Sequence, residues 1–209
     1  MPSVTRKTGA DRGARREEAQ ARLLAVVERL LGTGESYTEI TIDRLITEAE
    51  VPRSTFYLFF ADKAHLLTSL TGELTVEYLD ACQDWWHLAP GAGRDDLRAA
   101  LRKMYDAYYP HRLLMQAVIE TASYDTNVGA AYAESFDLHV REITEHIRRG
   151  QAEGNVHGHL DPERMALWLT CMIERGLYQF AAAAEPGERD GYLESSTDIV
   201  WNVLYAGAR

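Results

Sequence analysis

The chain has 209 residues, 46% hydrophobic and 26% charged, with a formal net charge of −10. That length suits one large domain or a small one joined to a larger one, and the balance supports a packed core and excludes wholesale disorder. No run approaches the roughly 18–20 apolar residues of a membrane span, and two cysteines, Cys82 and Cys171, are too few and too far apart for a disulfide scaffold or a zinc ribbon. The opening MPSVTRKTGADRGARREE is positive but has no apolar core, so it does not read as a secretory leader. The expectation is a cytoplasmic protein with buried, reduced thiols and no membrane partner. Apolar residues recur at helical spacing and no alternating run appears. The spacing predicts a helix over 17–31, a short one after Thr41, another after Pro52, and a long one capped by Asp62 that carries Leu67, Leu70, Leu74, Tyr78 and Trp85. Beyond the break at Pro90-Gly91, helices fit 94–108, 110–124 and 126–153. Asp161-Pro162-Glu163 starts another that runs to about Ala184, and a last covers 189–206. About nine helices and no strand give an all-α fold.

Charge is uneven along the chain. Residues 1–65 hold ten basic and ten acidic side chains, whereas 66–209 hold twelve against twenty-two. Residues 1–16 have five basic groups and only Asp11 as acid, the mark of a front end that meets a polyanion or of a solubilising tail. Within 41–63, two short helices flank the tight turn Glu50-Val51-Pro52, the layout of a helix-turn-helix. The second helix is rich in groups that suit DNA. Arg53 can fork onto guanine or phosphate, Ser54 and Thr55 offer hydroxyls, and Tyr57 offers a ring and a hydroxyl. Lys63 stands at a helix start, where the dipole already favours a phosphate. Taken singly, Tyr57 reads as a half-buried aromatic and Arg53 as a solvated charge; the ordered set on one short helix points the other way.

Residues 22–67 resemble the DNA-binding domain of the TetR family of bacterial transcriptional regulators, through the run TFYLFFADKAHLL above all. The resemblance implies a basic flexible arm at 1–16, a three-helix DNA-binding domain at 17–64, and a helical ligand-binding and dimerisation domain at 65–209. It implies base or backbone contacts to double-stranded operator DNA by Thr41, Arg44, Arg53, Ser54, Thr55, Tyr57 and Lys63. Two positions depart from the family pattern. Glu50 stands where glycine is frequent, and a left-handed backbone there costs a side chain roughly 1–2 kcal/mol. Pro52 stands where a serine cap is frequent, and it offers no side-chain oxygen.

For the remainder, Met165, Trp168, Leu169, Met172, Ile173 and Gly176 form one stripe and Leu193, Val200, Val203 and Leu204 another. The expectation is a homodimer through these last two helices, with the split between core and interface left open. The segment ERMALWLTCMIERGLYQF with DIVWNVLY resembles the branch that contains the mycobacterial ethionamide-resistance repressor. That resemblance implies an effector cavity lined by Leu97, Ala100, Met104, Tyr108, Phe136, Thr170, Ile173, Glu174, Tyr178 and Trp201, for a small apolar or amphipathic molecule. Glu174 reads first as half of an ion pair with Arg175, and otherwise as a polar anchor in the cavity. His157 and His159 lack a third ligand, so no metal is expected, nor any cofactor. No phosphate loop, HExxH or GxSxG is present, which sets an all-α enzyme or a carrier with a vestigial helix-turn-helix behind a ligand-released repressor, not an enzyme, that binds a near-palindromic site.

Overall fold

The computed structural model describes residues 9–181, 184–185 and 187–208, which form nine α-helices and no strand among the described residues. The helix α1 (Gly9–Gly32) starts ahead of the expected Glu17. Its opening ADRGARREE is rich in strong helix formers, and Glu18 pairs with Arg22 one turn on at 2.6 Å. Residues 9–16 are therefore its first turns, with Arg12, Arg15 and Arg16 exposed, and not a separate flexible arm; residues 1–8 of that expected arm lie outside the described residues. Then come α2 (Ile42–Glu48), where the Thr41 hydroxyl accepts the Arg44 amide at 3.3 Å, and α3 (Arg53–Phe59). The long α4 (Lys63–Trp86) follows, where the Asp62 carboxylate accepts the His65 amide at 2.7 Å. Each such cap is worth about 1 kcal/mol because it satisfies an amide with no partner inside its own helix.

The chain continues with α5 (Arg94–Tyr108), a 3-10 turn at Tyr109–His111, α6 (Arg112–Ala122) and α7 (Thr126–Glu153). Pro110, expected to open a helix, sits in the 3-10 turn that separates α5 from α6, because it has no amide to donate. The last two helices are α8 (Pro162–Gly176) and α9 (Arg189–Leu204). The expected run to Ala184 is interrupted, since α8 widens into a π turn over Leu177–Ala181.

Two hydrophobic cores result. One joins Leu23, Val27 and Leu30 of α1 to Leu45 of α2, Phe56 of α3, Leu66, Leu67 and Leu70 of α4, and Leu114 and Ala117 of α6. The other joins Cys82, Trp85 and Trp86 at the far end of α4 to Leu101 of α5, Ile147 of α7, Leu169 and Ile173 of α8, and Leu193, Val200 and Leu204 of α9. The α4 helix thus belongs to both. Buried His146 of α7 stitches the second core together: its Nδ1 meets the Trp86 carbonyl at 3.0 Å and its Nε2 meets the Tyr205 hydroxyl at 2.6 Å. Burial pushes its pKa down to about 4, which keeps the ring neutral.

The turn between α2 and α3 keeps a left-handed residue, and that residue is Glu50, at φ +52°. The Val51 amide closes it onto the Ile46 carbonyl at 2.9 Å, while Pro52 caps α3 with no side-chain bond. Replacement of Glu50 by glycine removes the strain of roughly 1–2 kcal/mol and returns part of it as greater freedom of the unfolded chain. The expected outcome for Glu50→Gly is a gain of about 0.5–1 kcal/mol in urea unfolding; a loss of stability would show that the Glu50 side chain itself supports the turn.

Candidate nucleic-acid interface and ligand cavity

The α3 helix is anchored by one side. Phe56 is fully buried and stacks near Phe60, with ring centres 5.5 Å apart. Residues on the other side of a seven-residue helix must then face out: Arg53, Ser54, Tyr57 and Leu58 are exposed and Thr55 is half-buried. Tyr57 is 47% exposed, so it is no core aromatic, and the Arg53 guanidinium lies 5.5 Å from its ring centre. Arg53 also pairs with Asp43 of α2. Arg44 of α2 is held by Glu35 and, at 2.7 Å, by Glu48, which also takes Arg29. The Arg44 bond holds the Glu35 carboxyl below the ordinary range, as the Arg29 and Arg44 bonds do for Glu48. All are exposed pairs that water and salt screen, so a phosphate can replace a carboxylate on either arginine at little cost.

Lys63 is placed differently from the rest. Its ammonium donates to the carbonyls of Tyr37 at 2.6 Å, Thr38 at 2.9 Å and Ile40 at 2.9 Å, and lies 5.0 Å from the Tyr37 ring centre. The Tyr37 hydroxyl in turn donates to the Lys63 carbonyl at 2.7 Å. All three ammonium protons are engaged inside the fold, and burial lowers the Lys63 pKa. The side chain therefore clamps the 37–40 loop to the start of α4 and does not present its charge to a phosphate.

A cavity of about 280 Å³ lies against the middle of α4, between the two cores, with walls from α4, α5, α6, α7 and α8. Of the residues expected there, Met104, Tyr108, Phe136, Thr170, Ile173 and Glu174 line it. Four do not. Leu97 and Ala100 are buried in the second core, on a part of α5 that packs away from the cavity. Tyr178 falls in the π turn, its ring 5.4 Å from the Arg175 guanidinium. Trp201 lines a separate cavity of about 310 Å³, with His87, His146, Arg149 and Tyr205. Sequence reasoning missed Tyr78, Trp86 and His139 as wall residues. The α4 stripe did contain Tyr78, but as an apolar position and no more.

Most of the wall is apolar or self-satisfied: the Thr71 hydroxyl donates to the Leu67 carbonyl at 3.0 Å and Thr75 to Thr71 at 2.8 Å. Burial lowers the His139 pKa, and its Nδ1 meets the Ser135 carbonyl at 2.7 Å, so Nε2 is the acceptor that faces the Cys82 thiol at 3.9 Å. Three polar atoms on wall residues, Trp86 Nε1, Tyr108 Oη and Thr170 Oγ1, are buried without a partner among the described residues. Glu174 accepts the Tyr132 hydroxyl, and no ion pair joins it to Arg175, which is exposed. The expected Glu174–Arg175 pair is thus replaced by a carboxylate in the cavity wall.

Elsewhere, burial pushes the Cys82 thiol up to about 12, so it is inert, whereas Cys171 is only half-buried and not core as expected. The rings of His157 and His159 stand 5.4 Å apart, and no group of three metal-ligating side chains occurs among the described residues. The two stripes of α8 and α9 divide: Leu169, Ile173, Leu193, Val200 and Leu204 are buried in their own core, Met165, Met172, Gly176 and Val203 are half-buried, and Trp168, 74% exposed, faces outward, as do Leu167 and Ile199 outside the stripes. No helix among the described residues is long and apolar enough to cross a membrane.

The sequence family described as "Transcriptional regulator EthR, C-terminal domain" matches residues 97–206, more than half of the chain. The HTH-type transcriptional regulator EthR of Mycolicibacterium smegmatis is 22% identical over 206 residues, covering 97% of this chain and 94% of that protein. Among solved structures, Salmonella enterica GusR superposes with a TM-score of 0.69 at 15% identity, covering 89% of this chain and 95% of that one. Regulatory protein TetR from Rhodobacter sphaeroides superposes at 0.63 and 20% identity, covering 89% and 98%.

The Lys63 clamp makes a prediction that separates it from a DNA contact. Lys63→Met strips donors from three carbonyls and should cost about 2–3 kcal/mol in urea unfolding. Unchanged stability with weakened DNA binding would instead return Lys63 to the set of phosphate contacts.

Proposed function

Because the chain belongs to the EthR family of TetR-type transcriptional regulators, we propose that it is a homodimeric repressor that binds a near-palindromic operator and is released by a small apolar or amphipathic effector. Regulators of this type bind operator DNA as dimers and respond to small molecules. In this reading residues 17–64 form the DNA-reading unit, residues 65–209 bind the effector and dimerise, and the protein acts in the cytoplasm. One observation carries it: a recognition helix, α3, whose buried Phe56 leaves Arg53, Ser54 and Tyr57 exposed, stands at one end of a helix whose middle walls a cavity. Arg53 and Tyr57 serve as base-edge or phosphate contacts, Ser54, Thr55 and Thr41 as hydroxyl contacts, and Arg44 as a phosphate contact made by exchange of its carboxylates.

Repression then follows from geometry. Two recognition helices must meet successive major-groove faces about 34–36 Å apart, or a multiple of that. An effector that binds the cavity more tightly when α4 is tilted favours the mismatched spacing, and a coupling of ~1–3 kcal/mol is typical. The exposed Leu167, Trp168 and Ile199 supply the apolar centre of a bundle of two helices from each subunit.

Fluorescence anisotropy with DNA from upstream of the protein's own gene, against random competitor and at several salt concentrations, tests the reading. Specific binding with a steep salt slope is expected. Arg53→Ala should cost about 1–3 kcal/mol of operator affinity and leave stability within about 0.5 kcal/mol. Unchanged affinity would remove α3 as the reading helix. Trp168→Glu should shift the protein to monomer in sedimentation velocity and lower operator affinity with it; a persisting dimer would place the interface elsewhere.

A further inference from the structure

The cavity wall is electrically one-sided. Among the described residues that line it there is no lysine, no arginine and no aspartate, and His139 is kept neutral by burial. Glu174 is the one acidic side chain in that wall. Its neighbour Arg175 is exposed and lies over the Tyr178 ring, so it does not neutralise Glu174 by direct contact. The carboxylate takes one hydrogen bond, from the Tyr132 hydroxyl, and no ion pair involves it among the described residues. A carboxylate so placed is destabilised by lost hydration, and burial accordingly raises its pKa, against the Tyr132 bond and the Arg175 field.

Three phenol rings share its surroundings. Tyr132 touches it, and the Glu174 charge adds to burial in pushing up the pKa of both Tyr78 and Tyr108, whose ring centres are 6.3 Å apart. Aromatic rings around one carboxylate attract a cation twice, through its charge and through the negative ring faces. An anionic ligand, such as a fatty acid, would meet the only charge in the wall with its own sign and find no cation to answer it. The unpartnered Trp86 Nε1, Tyr108 Oη and Thr170 Oγ1 offer neutral hydrogen bonds that any polar ligand can use, so they do not choose the sign; Glu174 does.

We infer that the effector of this cavity carries a cationic head, a protonated amine on an apolar body, held at Glu174 among Tyr78, Tyr108 and Tyr132. This rests on the reading of the cavity as the effector site. The test uses the full-length protein and three probes of one shape, octylamine, octanol and octanoate, titrated at neutral pH and followed by fluorescence of the wall residues Trp85 and Trp86 and by calorimetry. Octylamine should bind at least tenfold more tightly than octanol, with octanoate weakest. Glu174→Gln, which keeps the shape and an acceptor for Tyr132, should bring octylamine down to the octanol level and leave octanol unchanged. Equal affinity for amine and alcohol, or a preference for octanoate, would overturn the cationic head and leave an apolar effector site standing. Binding of none of the three would remove the effector reading of the cavity itself. The wild-type series decides the point even if the variant does not fold.

Discussion

The reciprocal clamp between Tyr37 and Lys63 is the contact that ties the helix-turn-helix to the start of α4. The Lys63 ammonium gathers the carbonyls of Tyr37, Thr38 and Ile40, and the Tyr37 hydroxyl returns a bond to the Lys63 carbonyl. The loop that precedes α2 is thereby fastened to the first turn of α4. Because α3 is packed on the same core through Phe56, the recognition helix follows wherever that first turn goes. In the proposed mechanism a motion of α4 at the cavity would reach α3 through these hydrogen bonds and the shared core.

The electrostatics of the α2–α3 face explain how a chain of net charge −10 can still approach a polyanion. Arg44 and Arg53 are already matched with carboxylates, Glu35 and Glu48 for one and Asp43 for the other. On the proposed reading the free protein would show DNA a screened, nearly neutral face, and affinity would come from exchange of partners rather than from bare charge. On that reading the acidic excess of residues 66–209 would repel DNA and disfavour non-specific wrapping away from the α2–α3 face.

How much of this was legible in the sequence depends on whether a feature is a local signal or an outcome of assembly. Thr41, Asp62 and the Asp161-Pro162 pair announced helix starts because a cap is a local hydrogen bond, and the ends of α5 and α7 were read residue for residue. The early start of α1 differs from the expectation because alanine, arginine and glutamate are good helix formers whatever charge they bring to the segment. Lys63 was found by its motif, but a motif names a residue without naming its partner. The cavity was legible least. Met104, Tyr108 and Glu174 line it while Leu97 and Ala100, on the same helix face as Met104, do not, because a cavity exists where several helices fail to meet and periodicity reports only which side of one helix is apolar. Trp86 and His139 carried no signal of their own for the same reason.

The first hydrophobic core does not end where the helix-turn-helix ends. Leu66, Leu67 and Leu70 of α4 and Leu114 and Ala117 of α6 complete it. A reading head severed after residue 64 would expose Phe56, Phe60 and Leu45 to water and lose its fold. Gene shuffling that exchanged operator specificity among relatives would thus have to carry α4 and α6 along with the head, and with them two walls of the cavity. In such a lineage, a new DNA site and a new chemical signal are inherited together.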